Sequence, residues 1–522
     1  MKKIPNKFLL SIISCLFSFS FAMLALYLII PLHYNFQNIT FTFIIAFFSG
    51  FYLFFKTYQT NWQNLKEHIQ LNIILSILTF IIFLSLYQNK IVFDYNLFKN
   101  SSFNPFRIRY YITSFLSLFY LIIYLGNSIK SWFQNFFSKL SKWDKYAYLI
   151  TSIITMILIV ILYNMNNNWF LQYDRVYSMD SGYIFNKIYP NSFYYDIRHP
   201  ILSIFTFPIF SVVTTIGKFF FDEKILLLIS AIIFQIINVQ LLILIGLQLK
   251  LLIKKKIVFI IYMLSMPTLL YSLFLEKYQI ITFLLMLYVF TVCKEPEKSP
   301  SKIVSATLTM PTSAAIGITE ILLPDKIINK LKKIIKIIII TFLTTICLGR
   351  AHTLQYGLEE IKIAKEHYNI VQLTFPERVA STSKMLNHSL VAIPSGVEKV
   401  YNHLSYWWHD LELKISPLTI IILIIIFIGI ISNFSTLFVK IAAFWTFFAY
   451  FLFVILNWSP HESPLFAIYF SWATTPLFVL GIDYLINLIK IPSKVIYSLI
   501  IGGMLVINFT TILNIFEFLN TF

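Results

Sequence analysis

Residues 8–30, FLLSIISCLFSFSFAMLALYLII, are apolar on every face, and runs of this kind recur to the end of the chain at lengths that cross a bilayer. A transmembrane β-barrel would instead need segments of about ten residues with alternating polarity. The pattern therefore predicts an all-α polytopic membrane protein. Segments at about 8–31, 39–56, 70–87, 109–127 and 147–163 form a first group of spans. A second group falls at about 224–249, 256–275, 279–293 and 334–349, and a third at about 417–435, 440–457, 464–487 and 494–513. The expected total is about thirteen transmembrane helices.

Composition agrees with that pattern, since 58% of the 522 residues are hydrophobic and only 12% charged. The net charge of +18 would suggest nucleic acid in a soluble chain. Here the lysines cluster in short loops such as KLLIKKK (250–256) and KIINKLKK (326–333), which is the positive-inside bias of cytoplasmic loops. No nucleic-acid partner is expected; the expected location is the plasma membrane of a bacterium. Cys15, Cys293 and Cys347 have no metal-ligand spacing.

With MKKIPNK placed inside, the charge rule puts residues 164–222 outside as a large loop. ILSIFTFPIFSVVTTIGKFFF, broken by Pro208, is expected to lie in the outer interface, because a crossing there would place four lysines of KLLIKKK outside. LEKYQ (275–279) is expected at the outer surface, and 303–323 as a broken hairpin that enters and leaves from the inside. A second outer segment covers 351–416. In it VEKVYNHLSYWWHDLELK (397–414) has the spacing of an amphipathic helix, with Trp407 and Trp408 at headgroup level. That segment also holds Arg378 and His388, and the later loop NWSPHESP carries His461 and Glu462.

The loop 164–200 concentrates the chemistry. Asp180, in MDSGYIF, follows Asp174 by six residues. A carboxylate among aromatics at a water–lipid boundary can have a raised pKa and accept a proton from a hydroxyl nucleophile. The plainer reading of Asp180 is a cap on a helix beginning SGYI.

Asp180-Ser181-Gly182 followed by His199-Pro200 and an apolar run resembles the GT-C superfamily of membrane glycosyltransferases. In that superfamily a core helix precedes a large outer loop with one or two acids, then interfacial helices, then a second core helix. The likeness covers roughly 145–350, so 146–350 reads as a GT-C-like core with its catalytic loop at 164–222. Residues 1–145 then read as added helices, and 417–522 as C-terminal spans. Ser181 follows Asp180 where protein mannosyltransferases carry an adjacent Asp-Glu pair, which speaks against protein O-mannosylation.

The resemblance implies inverting transfer of a sugar from a polyprenyl-phosphate donor to a glycan, lipid or protein acceptor, with Asp180 as base and Asp174 beside it. The leaving lipid phosphate calls for positive charge or a metal. Arg198, His199, Lys277, Arg350 and His352 are the candidates, each equally readable as an interfacial anchor. Glu276 would hold the acceptor, or a divalent cation; no carboxylate cluster assigns a metal. A transporter or flippase of lipid-linked glycans, and a surface-glycan polymerase or ligase, are the alternative readings.

Overall fold

The computed structural model describes residues 130–165, most of 210–296, 311–347, 373–400, 403–408, 415–458 and 463–520, with short stretches within 14–22, 43–55, 73–77 and 175–179. The chain divides into two compact units, one formed by residues 1–145, 195–226 and 338–358, the other by 146–194, 227–337 and 359–522. The described elements are almost all helical. Five helices are long and apolar enough to cross a membrane, and a sixth span counts if one bent pair is taken together. The protein is thus a helical membrane protein; thirteen spans exceed what the described residues contain.

In the first unit the helix Phe43–Tyr52 packs its Ala46 against Ala22, with Phe21, Phe43 and Phe47 around them. Helix α1 (Lys142–Met165) begins with a reciprocal cap. The Ser141 N–H and hydroxyl both donate to Asp144 Oδ2, at 2.9 and 2.7 Å, and the Asp144 N–H returns to Ser141 Oγ at 3.3 Å. This satisfies amides that the helix's first turn cannot pair internally.

The second unit is organised around α10 (Ser463–Ile489), whose most apolar window is buried throughout. A helix apolar on all sides belongs in the middle of a bundle. Around it pack α3 (Lys256–Leu264), α4 (Met266–Leu273), α5 (Tyr278–Lys294), α7 (Phe375–His388), α8 (Pro417–Asn433) and α9 (Leu437–Tyr450). Helix α2 (Glu223–Ile253) precedes them, α6 (Ile327–Cys347) lies between α5 and α7 in sequence, and α11 (Ser493–Leu519) closes the chain. The turn between α2 and α3 is pinned to α10 by an ion pair of Lys255 with Asp483, which also accepts from the Tyr497 hydroxyl at 2.8 Å.

Helices α3 and α4 meet at a 59° bend. Pro267 opens α4, so the chain there lacks an amide donor and the preceding residues are pushed out of helical geometry. Ser265 adopts an extended conformation, and the freed groups find other partners. The Met266 N–H donates to Leu390 O at 3.0 Å, and Asn508 Nδ2 of α11 donates to both Leu264 O and Leu390 O at 2.8 and 3.1 Å. The Ala392 N–H completes the knot by donating to Asn508 Oδ1 at 2.7 Å.

Helix α7 does not lie outside the bundle. Its first turn is capped by Glu377, which accepts from the Thr374 N–H at 2.6 Å and the Thr374 hydroxyl at 2.8 Å. The same donors hold the Glu377 carboxyl below its usual range. Arg378 donates to Val454 O at 2.7 Å in the π-helical turn Phe451–Ile455 that ends α9. Three turns on, Ser389 reaches Thr474 at 2.6 Å, near the middle of α10. From there the chain turns back through buried Leu390, Val391, Ala392 and Ile393 into a hairpin.

That hairpin replaces the amphipathic helix expected from 397. Strand β1 (Ser395–Val400) pairs antiparallel with β2 (His403–Trp408) in the register Ser395↔Trp408 to Val400↔His403. The run VEKV…HLSYWW is rich in β-branched and aromatic residues, and its cross-strand pairing prevails over a helical periodicity that fits it equally well.

The 3₁₀ helix Pro311–Leu322 packs on α9 and is hydrogen-bonded to side chains of α5 and α10. Near the start of α5 the Tyr278 ring meets Phe466 at 5.7 Å, and close by on α10 Tyr469 is hydrogen-bonded to Ser313. Further along α5, Tyr288 meets Thr319 at 3.3 Å and Glu320 at 3.1 Å. The 3₁₀ helix therefore runs the same way as α5 and returns the chain to the side on which α5 ends. The first arm of the broken hairpin expected within 303–323 lies outside the described residues.

Candidate functional site

Two neighbourhoods of the second unit carry the polar chemistry. The first is the tip between α4 and α5, where Glu276 and Lys277 sit at 0% and 1% exposure. The sequence expects this tip at the outer side of the membrane, and there protein atoms cover both side chains. Asn238 Nδ2 of α2 donates to Glu276 O at 2.9 Å, and Asn238 lies about 22 Å along its helix from Glu223 at 1.5 Å per residue. The α4–α5 hairpin is shorter than α2, so its tip ends inside the bundle. Backbone groups that water would satisfy at a surface must then find protein partners.

Those partners come from two helices. Gln235 Nε2 of α2 and Gln279 Nε2 of α5 both donate to Tyr271 O, at 2.8 and 2.9 Å. Tyr271 lies in the last turn of α4, whose carbonyls have no intrahelical donor. The Glu276 carboxylate accepts from the N–H of Lys277, where α5 begins. Lys277 Nζ stands 5.9 Å over the Tyr278 ring. An acid and a base thus share one dry tip with three carboxamides. Of these residues the sequence singles out only Glu276 and Lys277. The signal for the rest was available as polar residues at i, i+3 spacing in apolar helices, Gln235 with Asn238 and Gln279 with Thr282.

The second neighbourhood is the strip Arg175–Met179 docked on the hairpin. The Tyr406 N–H donates to Arg175 O at 2.8 Å and the Tyr177 N–H to Tyr406 O at 3.1 Å, so Val176 extends the hairpin as a parallel bridge. Arg175 Nη1 donates to Leu404 O at 2.9 Å, and the Met179 N–H closes a turn on Val176 O at 2.9 Å. Tyr177 has a φ of 48°, a left-handed conformation unusual for a bulky residue. Its side chain is fully buried, donates to Ser395 Oγ at 2.8 Å, and meets the His388 imidazole edge to face at 5.2 Å. Burial pushes the Tyr177 hydroxyl above its usual range and holds the His388 imidazole down to about 3, so His388 is neutral. His388 Nδ1 accepts from the Ile393 N–H at 3.4 Å.

Asp174 and Asp180 flank this strip in sequence and lie outside the described residues, as do Arg198, His199, Arg350 and His352. Among the described residues no group of three or more His, Cys, Asp or Glu side chains is arranged to hold a metal ion. Compared with family models, with curated proteins and with solved structures, the chain matches none.

Proposed function

We propose that this protein is an integral-membrane glycosyltransferase that moves a sugar from a polyprenyl-phosphate carrier to a glycan, lipid or protein acceptor at a bacterial membrane surface. The observation that carries the reading is the clamped strip Arg175–Met179. A sequence segment bounded by two carboxylates is fastened to the hairpin by two backbone hydrogen bonds, the Arg175 side chain and a buried tyrosine of strained conformation. Strain of this kind persists only where its surroundings over-determine it, and it clusters at sites that must be pre-organised.

In this mechanism an acceptor hydroxyl attacks the anomeric carbon while the bond to the lipid-phosphate oxygen breaks. The hydroxyl proton passes to the carboxylate of Asp180, and the phosphate leaves with the bonding pair. One displacement inverts the anomeric centre, and Asp174 assists as a neighbouring carboxylate. Positive charge from Arg198, His199, Arg350 or His352 would stabilise the departing phosphate. The test is reconstitution in liposomes with polyprenyl-phosphate sugars, following loss of donor and gain of product. Asp180→Asn should lower turnover by about 10²-fold or more while the protein still folds. Equal rates for both proteins would overturn the assignment.

A second reading is favoured by a different observation. Glu276, Lys277 and Glu320 are all buried among apolar helices, as ionisable groups on a transport path commonly are. Movement of a lipid-linked sugar across the bilayer without transfer would establish that reading instead.

A further inference from the structure

Helix α6 changes character along its length. Its second half, IIIITFLTTIC, is apolar apart from its threonines, whereas residues 326–336, KIINKLKKIIK, hold five lysines and no acid. At 3.6 residues per turn, Asn329, Lys330, Lys332, Lys333 and Lys336 fall within about 160° of the helix surface. Ile327, Ile328, Leu331 and Ile335 occupy the opposite side and are exposed, Ile327 at 76% and Ile328 at 56%. A bare apolar stripe backed by a lysine face is the pattern of a helix lying in a lipid interface.

The lysines divide into two sets. Lys330 Nζ donates to Ile321 O at 2.6 Å, near the end of the 3₁₀ helix, and Lys333 pairs with Asp325 at 2.9 Å. These two tie α6 to the turn before it. Lys332 and Lys336 are exposed, one turn apart, with no hydrogen-bond or ion-pair partner among the described residues. Like charges at i, i+4 repel, and no acid within Ile327–Cys347 offsets them.

The 3₁₀ helix brings the chain to the side on which α5 ends, and the positive-inside bias makes that side cytoplasmic. Anionic headgroups of the inner leaflet supply the complementary charge at that depth. We propose that residues 326–336 lie in the inner-leaflet interface with the Ile327, Leu331 and Ile335 stripe among acyl chains, and that Lys332 and Lys336 together bind the phosphate of an anionic phospholipid. Loop lysines that only orient a chain need no particular spacing. Here helix geometry sets the two side chains about 6 Å apart along one face, within reach of a single phosphodiester. Their stems lie along the helix while the ammonium groups reach the headgroups. The assignment stands whether or not the protein transfers sugar.

The test places a bimane fluorophore at Ile335→Cys in the full-length, otherwise cysteine-free protein, reconstituted in an equal mixture of phosphatidylcholine and phosphatidylglycerol. In one preparation the phosphatidylglycerol carries brominated acyl chains, in the other the phosphatidylcholine does, so the two quenching levels report which lipid sits beside the helix. Quenching by brominated phosphatidylglycerol should be greater by about twofold or more, and the excess should shrink as added salt screens the lysines. Lys332→Gln combined with Lys336→Gln should make the two lipids equal, with folding kept because both side chains are exposed and carry no bond. Lys490→Gln combined with Lys494→Gln removes the same charge at the α10–α11 corner and should leave the excess unchanged.

Equal quenching by the two lipids in the parent protein overturns the headgroup assignment. So does an excess that survives the loss of Lys332 and Lys336, or one that falls as far when Lys490 and Lys494 are changed. No quenching by either lipid would mean that the Ile335 stripe meets protein, and overturns the interfacial placement as well.

Discussion

Gly429 of α8 and Gly481 of α10 face one another so closely that each helix occupies the space a side chain on the other would need. A Cβ at Gly429 would collide with the carbonyl of Leu477, and one at Gly481 with that of Ile425. Helices within lipid gain little from hydrophobic burial and depend on such close backbone approach. Gly481→Ala and Gly429→Ala should each destabilise the bundle by about 1–3 kcal/mol or more. Gly503, with nothing within 4 Å of its Cβ position, should accept alanine without loss. Thermal midpoints in detergent check all three, and equal midpoints would show that α8 and α10 do not pack as described.

Asn508 holds three backbone groups at the α3–α4 break. Asn508→Leu keeps the volume but leaves the Ala392 N–H and the Leu264 and Leu390 carbonyls without that partner. A loss of about 1–3 kcal/mol is expected. Asn508→Asp restores only the acceptor, so it should rescue the variant in part at most.

Burial of His388 sets a pH dependence. Its folded-state value of about 3 lies below the ordinary histidine value, so the unfolded chain binds the proton first. Its contribution to stability is complete above about pH 6.5 and is lost as pH falls from there toward 3. The expected slope approaches about 1.4 kcal/mol per pH unit. His388→Gln should flatten the dependence of the thermal midpoint between pH 6.5 and 4; an unchanged slope would assign the acid sensitivity to other groups.

Tyr177→Phe keeps the ring contacts with His388 and Tyr406 and removes only the hydrogen bond to Ser395. If the strip is pre-organised for chemistry, turnover should fall about tenfold with KM little changed. Ser395→Ala should reproduce the effect, and the double variant should be no worse than either single one. Additive losses would mean that the hydroxyl and the serine act separately.

Depth at the α4–α5 tip is open to labelling in a cysteine-free background. Lys277→Cys should resist an impermeant maleimide from both sides of the membrane, because Lys277 is 1% exposed. Asp325→Cys should react from the cytoplasmic side only; labelling from outside there would mean that the 303–323 segment crosses once.

Much of this protein can be read from the order of its residues. Helices such as Glu223–Ile253 and Ser493–Leu519 are specified by apolar length, since a long apolar run in lipid can satisfy its backbone only by becoming helical. Pro311 and the Thr- and Ser-rich run after it likewise announce broken structure in the 303–323 segment, a local property of the residues themselves. Partners are a different matter. Nothing in VEKVYNHLSYWW separates a helix from a hairpin, because both periodicities fit and the decision comes from cross-strand pairing and the docking of Arg175–Met179. Glu276 and Lys277 look like surface loop residues until the lengths of α2 and α5 are compared in space and Asn238 is found holding the tip. The orientation of Gln235 and Gln279 was settled by a single carbonyl, that of Tyr271, contributed by a third helix. Sequence determined which segments must be helical because that requirement is local; only the tertiary structure decided which polar groups meet, because each depends on donors and acceptors far away along the chain.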